Sequence, residues 1–119
     1  MHCMSKESIS KIYMVLEKID YIENIVDNAG SITNALDDEI TMRPAILMHL
    51  TAIAEQFNKL KQENATQILD SFNSDELKGL YDVRTYIAHD YEGVNLAIIE
   101  WIIRNGLPIF KEKCLVIIQ

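Results

Sequence analysis

The sequence predicts an all-α fold, an up-and-down bundle of four to five helices. Three observations carry that reading. Apolar residues recur at alternating steps of three and four over long windows, the spacing of one face of an α-helix. The 119 residues include only four Gly and two Pro, too few punctuators for a chain of many short strands. The one β-branched run, "LVIIQ" at 115–119, has no second strand with which to pair.

The elements follow in order. From about Ser5 to Asn28, Ile9, Ile12, Leu16, Ile19 and Val26 form one apolar seam, interrupted by Glu23. "NAGS" at 28–31 ends this helix, with Gly30 suited to the left-handed conformation that follows a helix C-terminus. Ser31 can then cap a short helix running to about Asp38. Thr41 is the expected N-cap of the next long helix, and Pro44 falls in its first turn, where a missing N–H costs little. Ile46, Leu50, Ile53, Phe57 and Leu60 repeat by 4, 3, 4 and 3 residues, a narrow stripe suited to shallow packing along another long helix. "NSDEL" at 73–77 starts a further helix, because Asn73 or Ser74 can accept from its first N–H groups while Asp75 and Glu76 complement its dipole. That helix carries Leu77, Leu80, Tyr81, Arg84 and Ile87. "EGVN" at 92–95 marks a bend or cap. The last helix, about Val94 to Lys111, is expected to bury Val94, Ile98, Trp101 and Ile102, and to kink or end at "NGLP", 105–108.

Length and composition fit one domain spanning residues 1–119, large enough to bury a core without staples. No apolar run reaches the 18 or so residues of a membrane span, and "MHCMSKES" lacks the apolar segment of a secretory signal, so the expected setting is cytoplasmic. Cys3 and Cys114, at opposite ends of the chain, form no metal-ligand spacing. They read as two reduced thiols, with a terminal disulfide as the alternative and His2 beside Cys3 too isolated to build a metal cage. No metal or cofactor is expected. The net charge of −7 disfavours broad contact with nucleic acid, yet it is unevenly spread. Residues 1–77 carry 6 Lys/Arg against 13 Asp/Glu, whereas residues 78–119 carry 5 of each. The C-terminal third is therefore free to receive an anion at a local site.

That third contains "RTYIAHDY" at 84–91. Arg84 and His89 are five residues apart, which on an ideal helix separates them by about 140° around the axis and about 7.5 Å along it. The pair suits RNA cleavage without a metal. Imidazole can take the proton of a ribose 2′-OH near neutral pH, and guanidinium offers planar, permanently charged donors to the phosphate oxygens. Tyr91 can position a phosphate or be an accessible nucleophile for a modifying enzyme. The plainer reading pairs Arg84 with Asp82, Asp90 or a carboxylate of the preceding long helix, and treats His89 as a helix-end residue. His49 reads as a flank residue of the apolar stripe. Glu55, beside Ile53 and Ala54, is a partly buried acid in need of a cation, for which Arg84 is a candidate.

Arg84, His89 and Tyr91 match an R-x4-H-x-Y pattern, and "GLYDVRTYIAHDYEGVN" at 79–95, "IIEWIIRNGLP" at 98–108 and "RPAILMHLTAIAEQFNKL" at 43–60 accompany it in order. With these residues the chain resembles the HepT-like branch of the HEPN superfamily, the toxin half of MntA/HepT toxin–antitoxin systems (type VII). The resemblance implies an all-α homodimer whose motifs line a shared cleft, and a metal-independent endoribonuclease with Arg84 and His89 as the catalytic pair. It also implies a partner, an MntA-like nucleotidyltransferase antitoxin that adds AMP to Tyr91. Glu55 falls at the family's recurrent acidic position. Thr85 stands where many members carry Asn or Asp, a position able to orient the histidine, and 64–73 lacks the proline-and-tryptophan turn of many relatives. The competing function is a non-catalytic helical subunit that docks a nucleotidyltransferase or its substrate.

Overall fold

The computed structural model describes residues 4–119. Its elements are α1 (Lys6–Ala29), α2 (Ile32–Asp37), α3 (Met42–Gln62), α4 (Thr66–Leu69), α5 (Ser74–His89), α6 (Leu96–Trp101), a π-helical turn (Ile102–Gly106) and α7 (Leu107–Ile117), with no strand among the described residues. α6, the π turn and α7 run on without a break, so four long rods make the bundle and α2 and α4 serve as connectors.

Side-chain pairs give the direction of each rod. Ser8 and Lys11 of α1 meet Glu63 at the end of α3, while Tyr21, further along α1, lies against His49 near the start of α3. The Tyr81 hydroxyl of α5 donates to the Phe57 carbonyl of α3 at 3.3 Å. Lys111 of α7 bonds Glu23 of α1 at 2.9 Å, and Lys113 bonds Glu76 of α5 at 2.6 Å. Between α1 and α3 one number rises as the other falls. The same holds between α3 and α5, where Arg84 meets Glu55, and between α5 and the C-terminal rod, where Tyr86 meets Asn95. Successive rods are therefore antiparallel, an up-and-down bundle of the expected kind.

The core is centred on α3. Ile46, Leu50, Ile53, Phe57 and Leu60 are all fully buried, as the stripe predicted. Each such side chain contributes roughly 1.5–3 kcal/mol by leaving water. Phe57 meets Phe72 and Phe110 edge-on with centroids at 4.9 and 5.4 Å, and the latter two stack at 5.2 Å. This trio ties α3, the link between α4 and α5, and α7 into one cluster. Cys114 is also fully buried, and burial pushes its thiol up to about 12, which keeps it protonated and unreactive. Cys3 and His2 lie outside the described residues.

The structure adds to or corrects several local expectations. On α1 the buried line is Ile12, Val15, Ile19 and Ile22, while Ile9, Leu16 and Val26 are only partly covered. The seam turns because α1 packs between α3 and α7 rather than against one neighbour. Thr41 makes no side-chain capping bond; the Asp38 carboxylate accepts instead from the N–H groups of Ile40, Thr41 and Met42 at 3.2, 3.3 and 3.1 Å. These bonds hold the Asp38 carboxyl below its usual range. The stretch 64–73 contains the single turn α4, which buries Ile68. Finally, of the kink or end expected at "NGLP", the end does not occur, and the last helix runs past Lys111. Pro108 has no N–H, and its ring would press on the carbonyl four residues back. The π turn, closed by the Leu107 N–H on the Ile102 carbonyl, inserts the extra residue that lets the rod continue to Ile117. The buried side of this rod is Ile99, Ile103, Leu107 and Phe110, leaving Ile98 45% and Trp101 63% exposed.

Among the described residues no helix is long and apolar enough to cross a membrane.

Candidate functional site

The motif sits at the C-terminal end of α5, and α5 is firmly begun. The Asn73 side chain accepts the Glu76 N–H at 2.8 Å while the Glu76 carboxylate accepts the Asn73 N–H at 2.9 Å, a reciprocal capping box. Leu80, Val83 and Ile87 then bury one face. This fixes the rotation of the helix, and with it the directions of the polar residues between.

Arg84 lies on the flank facing α3. Its Nε donates to Oε1 of Glu55, which α3 presents from the turn between Ala54 and Gln56. The two side chains are 41% and 33% exposed, so the pair stands at the rim of the core. A bond through Nε does not engage Nη1 or Nη2, the groups that fork onto a carboxylate or phosphate. The pairing of Arg84 with Glu55 anticipated from the sequence is formed, while Asp82 instead bonds Lys78 at 2.8 Å. Thr85, the next residue, is exposed.

His89 is the last residue of α5 and is exposed. The helix is continuous from Arg84 to His89, so the ideal separation of about 140° applies to the pair within one chain. Arg84 faces the α3 flank and His89 faces solvent. The single chain places them on one helix but does not close them on a common point.

The link from α5 to α6 is built to hold a shape. The Asp90 carboxylate accepts the Gly93 N–H at 3.0 Å, a side-chain-closed turn. A Cβ on residue 93 would stand 2.2 Å from an Asp90 carboxylate oxygen, so only glycine lets the carboxylate lie there. The Tyr86 hydroxyl accepts the Asn95 N–H at 3.1 Å, and Asn95 in turn caps α6 by accepting from Ala97 at 2.9 Å. Val94 is buried beneath the link. Tyr91, on the outside of this turn, is 46% exposed.

Sequence reasoning named Arg84, His89, Tyr91, Glu55 and Thr85 but passed over Tyr86, Asp90 and Asn95 as parts of the scaffold. The D-x-x-G spacing of Asp90 and Gly93 was the available signal for the turn. His49 is half-buried, its ring 5.2 Å from that of Tyr21, and burial followed by the nearby Lys18 charge lowers its pKa. It belongs to the α1–α3 packing, as a flank residue should.

The sequence model of the family described as ribonuclease HepT-like matches residues 15–117. That span holds α3, the whole motif helix, the 90–95 turn and the C-terminal rod. No curated protein and no solved structure matches the chain. With the all-α bundle, and with the motif residues at the end of its third long rod, the chain belongs to the ribonuclease HepT-like family of the HEPN superfamily.

Proposed function

We propose that this protein is the toxin of a type VII toxin–antitoxin system, a metal-independent endoribonuclease whose catalytic residues are Arg84 and His89. His89 removes the proton of a ribose 2′-OH. The 2′-oxygen then bonds to the adjacent phosphorus, the bond from phosphorus to the 5′-oxygen breaks, and the leaving oxygen takes a proton. The products are a 2′,3′-cyclic phosphate and a 5′-hydroxyl. Arg84 stabilises the charge that builds on the non-bridging oxygens through Nη1 and Nη2, while Glu55 holds its Nε. In a homodimer the motifs of two copies would line one cleft, which shortens the reach between an arginine and a histidine that point about 140° apart on their own helix.

The same reading assigns regulation to Tyr91. An MntA-like nucleotidyltransferase joins its hydroxyl oxygen to the α-phosphorus of ATP, and pyrophosphate leaves. Each added AMP puts an anion and an adenosine beside His89, which repels and obstructs an RNA backbone. The observation that carries the proposal is the order along one rigid stretch: a tethered guanidinium, an exposed imidazole at the helix end, and an exposed phenol on a pinned turn. The test is cleavage of RNA in EDTA by the wild type, Arg84→Ala and His89→Ala. Loss of cleavage in both variants, with their helical content kept, supports it. Full activity in both overturns it.

A further inference from the structure

A groove of about 560 Å³ runs between α5 and the C-terminal rod, a volume suited to a small ring system. Its floor is Leu80, Val83 and Phe110, and Trp101 stands at its lip, 63% exposed. An indole left this open offers a flat face for stacking. Gly79 on one wall and Gly106 on the other keep both sides bare. A Cβ at residue 79 would meet nothing within 4 Å, and one at residue 106 would meet only the Ile102 side chain at 3.7 Å. Neither glycine has a positive φ, and glycine weakens a helix interior, so nothing within the chain requires the pair. What they provide is width, enough for a flat body to enter beside the indole.

The polar groups that line the groove near Trp101 are poised to accept hydrogen bonds. Asn105 donates from Nδ2 to the Trp101 carbonyl at 3.2 Å, which turns that end of the amide back on the helix and leaves Oδ1 to accept. Asp82 takes the Lys78 ammonium at 2.8 Å on one carboxylate oxygen, which leaves the other. Lys78 itself is 73% exposed at the same rim. An aromatic face with acceptors beside it suits a flat ligand with N–H donors on its edge. The rim cation suits an anion attached to that ligand, while the carboxylates keep the anion out of the groove itself.

The groove leads toward the motif. The Tyr86 hydroxyl meets the Asn95 N–H, so the two walls are level there. His89 lies three residues beyond that point on α5, and Trp101 six residues beyond it on the rod, in the opposite direction. At 1.5 Å per residue the two are about 13 Å apart along the bundle. A stacked strand covers that distance in about four nucleotides, and an extended one in fewer.

We propose that the groove is a nucleobase subsite for the RNA strand, in which Trp101 stacks on a base close to the scissile linkage while Asp82 and Asn105 accept from its exocyclic amino group. Lys78 meets the backbone phosphate at the rim. The inference rests on the ribonuclease reading and adds a base preference to it. Cytosine presents an N4 amino group where uracil presents a carbonyl oxygen, and two acceptors attract the first and repel the second. The subsite therefore takes cytosine over uracil.

The test uses the full chain carrying His89→Ala, so that RNA stays whole, titrated in EDTA with short oligocytidine and oligouridine. Trp101 is the one tryptophan, so its emission reports on the groove while anisotropy of end-labelled RNA reports binding. Oligocytidine should quench the emission as it binds, and should bind about 10-fold tighter than oligouridine. Trp101→Ala should weaken oligocytidine binding by about 10-fold or more, and Trp101→Phe should recover most of that loss. Asp82→Asn, whose amide offers a donor as well as an acceptor, should bring the two affinities together. RNA that binds with unmoved emission, or equal binding of both RNAs before Asp82 is changed, overturns the subsite and leaves the nuclease reading standing. Emission that moves with protein concentration but not with RNA gives the groove to a protein partner, and overturns the subsite too. Quenching by oligocytidine supports the base site even where the wild type cuts no RNA, in which case the nuclease reading alone fails.

Discussion

Glu55→Ala separates the structural and catalytic parts of the Arg84 site. The Arg84–Glu55 pair is 41% and 33% exposed, so solvent screens it and its share of stability is at most about 1 kcal/mol. Unfolding entropy of about 2.1 cal/mol/K per residue over 119 residues converts that ceiling to a fall in Tm of about 4 °C. The expected effect on cleavage is larger. Without Glu55 nothing holds Nε, and a guanidinium free to swing stabilises the developing phosphate charge poorly, a positioning loss of about 10- to 100-fold in rate. Glu55→Gln keeps an amide oxygen where Oε1 stood, so it should retain the tether and lose only a few-fold. The assay is single-turnover cleavage of end-labelled RNA in EDTA, with Tm measured on the same preparations. Wild-type cleavage by Glu55→Ala, whatever its Tm, would refute the idea that Glu55 positions Arg84.

Two further outcomes follow from packing and titration. Phe57→Ala removes the fully buried ring that Phe72 and Phe110 meet edge-on, and should cost about 3–5 kcal/mol, read as a large drop in the denaturation midpoint. His49 has a folded pKa below its ordinary 6.5, through burial and then the Lys18 charge, so between the two values the unfolded chain binds more protons. Stability should therefore fall as pH drops from about 6.5 toward the folded pKa, and His49→Gln should flatten that part of a urea-denaturation series; an unchanged slope would contradict the assignment.

Much of the fold was legible because helical periodicity is strong wherever a rod has one buried stripe. The five stripe positions from Ile46 to Leu60 on α3 are all buried, with Leu47, Ala54 and Gln56 widening the face, and the start of α5 at Asn73, one of two caps the sequence offers, followed from cap chemistry. Legibility failed where a rod has two neighbours or an unusual break. The seam of α1 turns between two partners, so no single stripe describes it. On the last rod, Trp101 and Ile98 read as core because apolar residues at helical spacing ordinarily are, yet that side faces the open groove. The break at Pro108 is absorbed by a π turn, for which the α-helical template has no place.

Around the candidate site, the tie between Arg84 and Glu55 was legible, because a partly buried acid needs a cation. A bend after Tyr91 was legible, but the second of its pins was not. It depends on the Tyr86 hydroxyl meeting an N–H nine residues on, a contact that periodicity does not encode.

The most direct test of a single catalytic centre is a double-mutant cycle on the cleavage rate in EDTA, comparing Arg84→Ala, His89→Ala and the double variant. Groups that act on one scissile phosphate in one step are strongly non-additive, so the double variant should cleave no more slowly than the weaker of the two single variants. Losses that multiply would mean that the arginine and the histidine act independently, and would contradict a shared centre.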